Sequence, residues 1–339
     1  MPAASSARAG GYVLAGVTHL LAPAFLVTGV YLVSTLSVGG VLSGLIVLDL
    51  AWLLRPRPAP FPGSSVPLTR AEASHLFALV DRIGAELGAP RTDLIAVSGA
   101  VNASFGTFGR RRRRLLEIGY PLWLILSPQE RVALLAHEMA HSRNGDARHG
   151  LVVGSALYSL SELRTVTRFG WRPGDGVSRF IAEGLLAVLG VPVRVLIFLL
   201  ERLLYRSSQR AEYRADEMQA QVAGSAAALS LLDVLTARAH AAGAFLSSST
   251  VAIGTGNLWA ALRSHLAEAE AEEPAPAEED RVDSTHPPTY LRIRHLQDLP
   301  HLEPRVTPTT MDLIEEELAG TAERVARIVR EDAQSALYR

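Results

Sequence analysis

The chain has 339 residues, a formal net charge of −1 from 33 basic and 34 acidic side chains, 10 histidines and no cysteine. Near-neutral charge without a recognition motif argues against a nucleic-acid partner, and the lack of cysteine removes disulfides, thiol nucleophiles and thiolate-bound metal together. Hydrophobic residues reach 48% and mean hydropathy is positive, high for a soluble globule of this size, which points to a membrane setting.

From Tyr12 to Leu54 the only side chains able to carry charge near neutral pH are His19 and Asp49. One helix needs about 20 residues to cross a bilayer, so the stretch suits two passes with a break near residues 37–40. A cleaved secretory leader is the competing reading, but the segment is too long for one and only Arg8 precedes it. A buried helical pair in a soluble protein is the other, disfavoured by the missing amphipathic period. Two crossings return the chain to its starting side, and Arg55 and Arg57 at the exit place that side in the cytoplasm. Residues 1–56 are therefore expected to form a transmembrane hairpin. The following domain, 57–339, would face the cytoplasm.

Helical spacing runs from Leu68 to Leu87 and ends at Gly88, with Pro90 beyond it. Short strands are expected at Leu94–Val97 and Leu115–Ile118, around the segment containing Asn102, with a further strand at Trp123–Leu126. These make a small sheet, suited to taking up a peptide as an extra strand along its edge. The run Arg110–Arg114 is either a solvated hairpin tip or a contact for anionic lipid head groups. Every basic residue in the chain is arginine, a compositional bias rather than a functional sign.

Residues 137–141 read His-Glu-Met-Ala-His in a stretch that should be helical. Ser127 with Glu130 forms a capping box and Pro128 takes the first helical position. Two histidines four apart emerge from one helix face, one turn from each other, able to share a metal whose bonds to nitrogen are about 2.0 to 2.1 Å. Glu138 lies beside them, placed to act on water. The bland alternative is two surface histidines flanking a glutamate.

The apolar stretches within 148–205 are expected to be inserted helices. They are either two further spans or a membrane-apposed hairpin, because the segment between them carries Arg164, Arg168, Arg172 and Arg179. Arg194, within an apolar stretch, would face a water-filled cavity or snorkel to the interface. In SSQRAEYRADE, Glu212 and Asp216 stand four apart on one helical face. A two-histidine site needs a third protein ligand, for which Glu212 is the candidate; Asp216 would take the free N–H of a metal-bound histidine. A solvated charged face is the alternative. Residues 243–257, rich in Ser and Gly, are a flap or a loop, and the acidic, Pro-rich 266–283 should be flexible. His286, followed by two prolines, and Arg292 are candidates to steady an oxyanion, though His-Pro-Pro alone is only a turn before a helix. Ile314, Leu318, Val325 and Val329 recur on one face, predicting an amphipathic helix within 309–339.

HEMAHSRNGD, EYRAD and STHPPTYLRIRHL, behind a hydrophobic hairpin, resemble the HtpX and CAAX prenyl protease group of integral-membrane zinc metallopeptidases over most of the chain, through Leu296. The resemblance implies one Zn2+ per chain held by His137, His141 and Glu212, with Glu138 as general base. It also implies Asp216 behind a ligand, His286 and Arg292 near the substrate carbonyl, and Asn102-Ala103 on an edge strand that hydrogen-bonds an extended substrate. The arginine run at 110–114 and the insert near 266–282 depart from common members.

The fold expected is mainly α with a small β-sheet (α+β): a transmembrane hairpin, then a zincin-like domain carrying inserted hydrophobic helices. The function expected is metal-assisted hydrolysis of peptide bonds in membrane or unfolded proteins, in quality control or regulated proteolysis in a bacterial cell membrane. Prenyl-peptide processing and a non-catalytic zinc scaffold or sensor are the alternatives. Nothing in the sequence indicates oligomeric state.

Overall fold

The computed structural model describes residues 2–143, 146–172, 174–253, 257–271 and 287–337. Its elements begin with helices α1 (Pro2–Ser34) and α2 (Val38–Leu54), strand β1 (Val66–Leu68), helix α3 (Ser74–Leu87) and strands β2 (Leu94–Ser98), β3 (Ala103–Phe108) and β4 (Arg113–Gly119). Helices α4 (Tyr120–Ile125), α5 (Pro128–Arg143), α6 (Asp146–Val166), α7 (Val177–Leu189), α8 (Val191–Ala223), α9 (Ser225–Ser249), α10 (Leu258–Ala271), α11 (Thr289–Gln297) and α12 (Met311–Leu337) follow. The chain is mostly helical with a small mixed sheet, as its patterning predicts. It divides into two compact units, one of residues 1–59 with 148–208 and one of 60–147 with 209–339.

In the first unit, α1 and α2 form an antiparallel hairpin whose backbones approach closely at Gly29 and Gly44. A methyl group on Gly29 would lie 2.7 Å from the side chain of Leu48, and one on Gly44 would lie 2.9 Å from the carbonyl oxygen of Gly29. Small residues at the crossing are how apolar helices associate where no hydrophobic drive separates them from lipid. Ala15 and Ala22 of α1, Val153, Ala156 and Leu160 of α6, and Ile197 and Leu200 of α8 build a core inside this unit. Elsewhere its apolar side chains face outward, Val13, Leu20 and Val27 among them. Ala7–Ser34 and the apolar part of Val177–Ala223 are long and apolar enough to cross a membrane. Ser225–Ser249 matches by length and composition too, but its Leu231 and Leu232 are buried among neighbouring elements of the second unit, and α9 packs there as a core helix.

The second unit carries a four-stranded sheet in the order β1-β2-β4-β3, with β2 and β4 parallel and the other pairs antiparallel. The α3 helix ends at Gly88 as its spacing predicts, and the φ of 63° there makes a left-handed cap. Phe77 and Ile83 of α3, Leu116 and Ile118 of β4, Trp123 and Leu135 form its core. β3 is an edge strand packed on α5. Gly119 N–H donates to the Asn102 carbonyl at 2.8 Å, and Ala103 lies opposite Ile118. Alternation then turns the N–H and C=O of Ala103, Phe105 and Thr107 away from β4, along the sheet's open side.

Three expectations are corrected. Trp123–Leu126 is not a strand: α4 covers Tyr120–Ile125, with Pro121 at its start where a missing N–H costs nothing. Leu68 belongs to β1, and the helix begins only at Ser74. Residues 243–249 continue α9 instead of forming a loop, Ser247 and Ser248 returning their hydroxyls to the Ala244 carbonyl. Of the expected flexible stretch, 266–271 lie in α10, and 272–283 fall outside the described residues.

Candidate metal centre

α5 is buried along most of its length, from Val132 to Ala136 and at Met139 and Ala140. Its start is fixed through Glu130, one half of the expected capping box: Ser127 N–H donates to Glu130 Oε2 at 2.7 Å, and Ser230 of α9 donates to the other oxygen of Glu130. Gln129 donates to the carbonyls of Ala223 and Val306, both at 2.9 Å, tying this helix to the end of α8. The two helices that carry the candidate ligands are thereby locked together.

His137 and His141 of α5 meet Glu212 of α8. The two Nε2 atoms are 3.3 Å apart, and Glu212 Oε2 and Oε1 lie 3.4 Å from His137 and 3.5 Å from His141. Glu212 and His137 are buried and His141 is half-buried. Glu138 is half-buried on the same helix, next to the first histidine.

Behind His137, the Nδ1–H faces Asp216 Oδ1 at 3.1 Å and Gln219 Oε1 at 3.1 Å. Two acceptors there fix a proton on Nδ1, so that it is Nε2, facing the cluster, that would give up its proton to a metal. Arg292 of α11 holds Asp216 from the far side, Nε to Oδ2 at 2.8 Å and Nη2 to Oδ1 at 2.6 Å. Burial would raise the Asp216 pKa, but Arg292 and His137 outweigh it and hold the carboxyl below its usual range. Burial likewise opposes charge on His137, yet its bonds to Asp216 and Glu212 lift it to about 10. This pocket is built to hold positive charge.

A divalent cation fits that description. Tetrahedral ligands at zinc-like bond lengths of about 2.0 to 2.1 Å stand roughly 3.3 to 3.4 Å from one another; the two Nε2 atoms have that spacing, and one oxygen of Glu212 stands near it from each imidazole. Two imidazoles and a carboxylate, three protein ligands without a fourth among the described residues, are a donor set of catalytic rather than structural type.

Of the sequence candidates, His137, His141, Glu138, Glu212, Asp216 and Arg292 gather here. Arg292 was expected near the substrate carbonyl, and two of its nitrogens are engaged by Asp216. Asn102 and Ala103 lie at the start of the edge strand. His286 falls outside the described residues. Gln219 is the member that sequence reasoning missed; it stands seven residues after Glu212 and three after Asp216, on the same helical face, and is completely buried.

Comparison with known proteins gives the family. The chain is 31% identical to a protease HtpX homolog of Pyrobaculum calidifontis over 86% of its own length and 88% of the relative's. It is 25% identical to one from Syntrophobacter fumaroxidans, over 44% of this chain and 54% of that one. With one from Pelotomaculum thermopropionicum it shares 27% identity, over 49% and 59% of the two chains. Against these last two relatives the chain thus spans between half and three-fifths of their length. No solved structure matches it. The profile of peptidase family M48 covers residues 70–299, which include both histidines of the motif, Glu212, Asp216 and Arg292, and so the chain belongs to peptidase family M48.

Proposed function

We propose that the protein is a zinc-dependent endopeptidase anchored in the cell membrane by its apolar helices, with the second unit on the cytoplasmic side where Arg55 and Arg57 leave the hairpin. The observation that carries this reading is the mutual spacing of 3.3, 3.4 and 3.5 Å among His137, His141 and Glu212. Zinc bound by these three would act as a Lewis acid toward the scissile carbonyl and acidify water at its open face.

The protein's own groups supply the rest. Glu138 takes the proton of the attacking water and returns it to the leaving amine. Asp216 and Gln219 hold His137 in the tautomer that ligation requires, and Arg292 holds Asp216. Arg292 also places a permanent cation close to where negative charge develops, with His286 assigned to the same oxygen. The open side of β3 aligns the substrate through main-chain bonds at Ala103, Phe105 and Thr107. Such pairing reads little side-chain identity, which suits membrane or unfolded protein substrates in quality control or regulated proteolysis.

Glu138→Gln tests the reading. The variant should bind zinc as the parent does and lose roughly two to four orders of magnitude in cleavage of an unstructured protein such as casein. Undiminished cleavage would remove the assignment.

A further inference from the structure

We propose that the first unit holds a binding site for the phosphate of an anionic membrane phospholipid, in a hollow of about 330 Å³ lined by Arg164, Thr165, Arg168 and Arg194. The hollow lies where the carboxyl end of α6 meets the start of α8. Gly190 makes the approach possible, since a methyl group there would lie 2.4 Å from the Thr167 hydroxyl oxygen. Arg194 stitches the junction, Nη1 donating to the Ala187 carbonyl at 2.8 Å and Nη2 to the Thr167 carbonyl at 2.9 Å. Those two bonds answer carbonyls at the ends of α7 and α6, which would otherwise repel an anion.

Arg164 and Arg168, four residues apart and exposed, then add charge that has no ion-pair partner among the described residues. The carboxylates of the neighbouring loop are already engaged. Asp175 accepts from the Arg172 amide and pairs with Arg179, while Glu183 accepts from the Gly170 amide and pairs with the same Arg179. Glu162 sits two residues before Arg164, on another side of the helix. Guanidinium forks around a hollow without a carboxylate match the oxygens of a phosphate.

α7 identifies the source of that phosphate. It has no buried residue, and Val177, Ile181, Leu185 and Val188 form one apolar stripe, exposed by 75, 55, 62 and 68%. An uncovered stripe of this kind belongs at a membrane interface. It is joined to the hollow through the Ala187–Arg194 bond, so acyl chains along α7 bring a headgroup to the arginines.

The test uses the full chain in uncharged detergent, titrated with phosphatidylglycerol, with zwitterionic phosphatidylcholine and with inorganic phosphate. Phosphatidylglycerol should bind and raise the unfolding temperature. The double variant Arg164→Gln/Arg168→Gln, at side chains with no ion pair among the described residues, should weaken that binding about thirtyfold, leaving zinc content and lipid-free unfolding temperature unchanged. Ile181→Ser/Leu185→Ser should weaken it as well. Equal binding of the two lipids, or undiminished binding by the arginine variant, overturns the proposal. Inorganic phosphate acting at lipid-like concentrations would show a free-anion site and overturn the lipid assignment. The readouts do not depend on peptidase activity.

Discussion

Arg292 closes on Asp216 with two charge-assisted hydrogen bonds, at 2.8 and 2.6 Å, and the carboxylate oxygen that takes the shorter one also faces Nδ1 of His137 at 3.1 Å. Both partners are buried, Asp216 completely. A buried ion pair adds little net stability over an apolar pair, but losing one member leaves an uncompensated charge. The value of this pair lies in direction: it keeps Asp216 ionised and aimed at one imidazole nitrogen.

Asp216→Asn should therefore weaken zinc binding about 10- to 100-fold, and because it strands the buried Arg292 it should cost stability as well. Arg292→Leu leaves Asp216 only His137 to answer its charge and, as a broken buried pair, should cost about 3 to 5 kcal/mol of stability. Zinc competition titrations and denaturant melts separate the two effects. Parent-like zinc affinity in Asp216→Asn would deprive that carboxylate of its role.

Stripping the metal with a chelator makes His137 report on the site. Its raised pKa of about 10, against an ordinary 6.5, means that the metal-free imidazole is protonated at pH 8. Zinc uptake at that pH should release about one proton from this residue, seen as a dependence of the calorimetric heat on buffer ionisation enthalpy. The sign for stability follows from the raised value. Below about 6.5 the metal-free protein has the whole contribution, and it is lost as pH rises toward 10. A metal-free unfolding temperature that climbs over that interval would contradict the placement of His137 between carboxylates.

The edge-strand assignment predicts a period of two. Only Ala103, Phe105 and Thr107 turn main-chain groups to the open side, so an extended substrate can pair at alternate residues. Methylating successive amide nitrogens of a model peptide should lower kcat/KM about 2- to 12-fold at every second position, the worth of one hydrogen bond, and leave intervening positions nearly unchanged. A uniform loss along the peptide would count against strand addition.

Local pattern carried much of this architecture into the sequence. The histidine pair, the bond between Ser127 and Glu130, Gly88 and the apolar period of Ile314, Leu318 and Val325 all depend on neighbours within a few residues, and each stands in the structure as its spacing implies. What escaped depends on partners far away. Trp123–Leu126 is a short apolar run that periodicity cannot assign, and burial against the rest of the second unit made it helical. Gln219 has no signature of its own; only its completed burial beside His137, 82 residues back, gives it a purpose. The serines after Gly243 look like loop until their hydroxyls are seen bonding back to the helix.

Glycine at 119 is a steric requirement. A methyl group there would lie 1.8 Å from the Ala100 carbonyl oxygen and 2.4 Å from that of Asn102, both backbone atoms that cannot swing aside. Gly119→Ala should displace residues 100–102, costing about 1 to 3 kcal/mol and lowering peptide affinity more than zinc affinity. Zinc and peptide binding falling together would show that the strand and the metal helices move as one.

Glu317 supplies a cap from the other end of the chain. The α3 helix begins after Ala73, which offers no side-chain acceptor, and Glu317 of α12 takes the amides of His75 and Leu76 at 2.8 and 3.1 Å, with Ser74 Oγ and His75 Nδ1 added. A carboxylate at a helix amino terminus meets the positive end of the macrodipole as well as open donors. Burial opposes the charge, but those hydrogen bonds prevail and hold the Glu317 pKa below its ordinary 4.5. Its contribution is therefore present above about 4.5 and lost as pH falls through the depressed value. Glu317→Gln should cost about 0.5 to 2 kcal/mol at pH 7, and the gap to the parent should narrow as pH drops below 4.5. Unfolding temperatures of the two proteins between pH 7 and pH 3 decide it. A gap of constant width down to the acid limit would mean that Glu317 holds α12 by shape and not by charge.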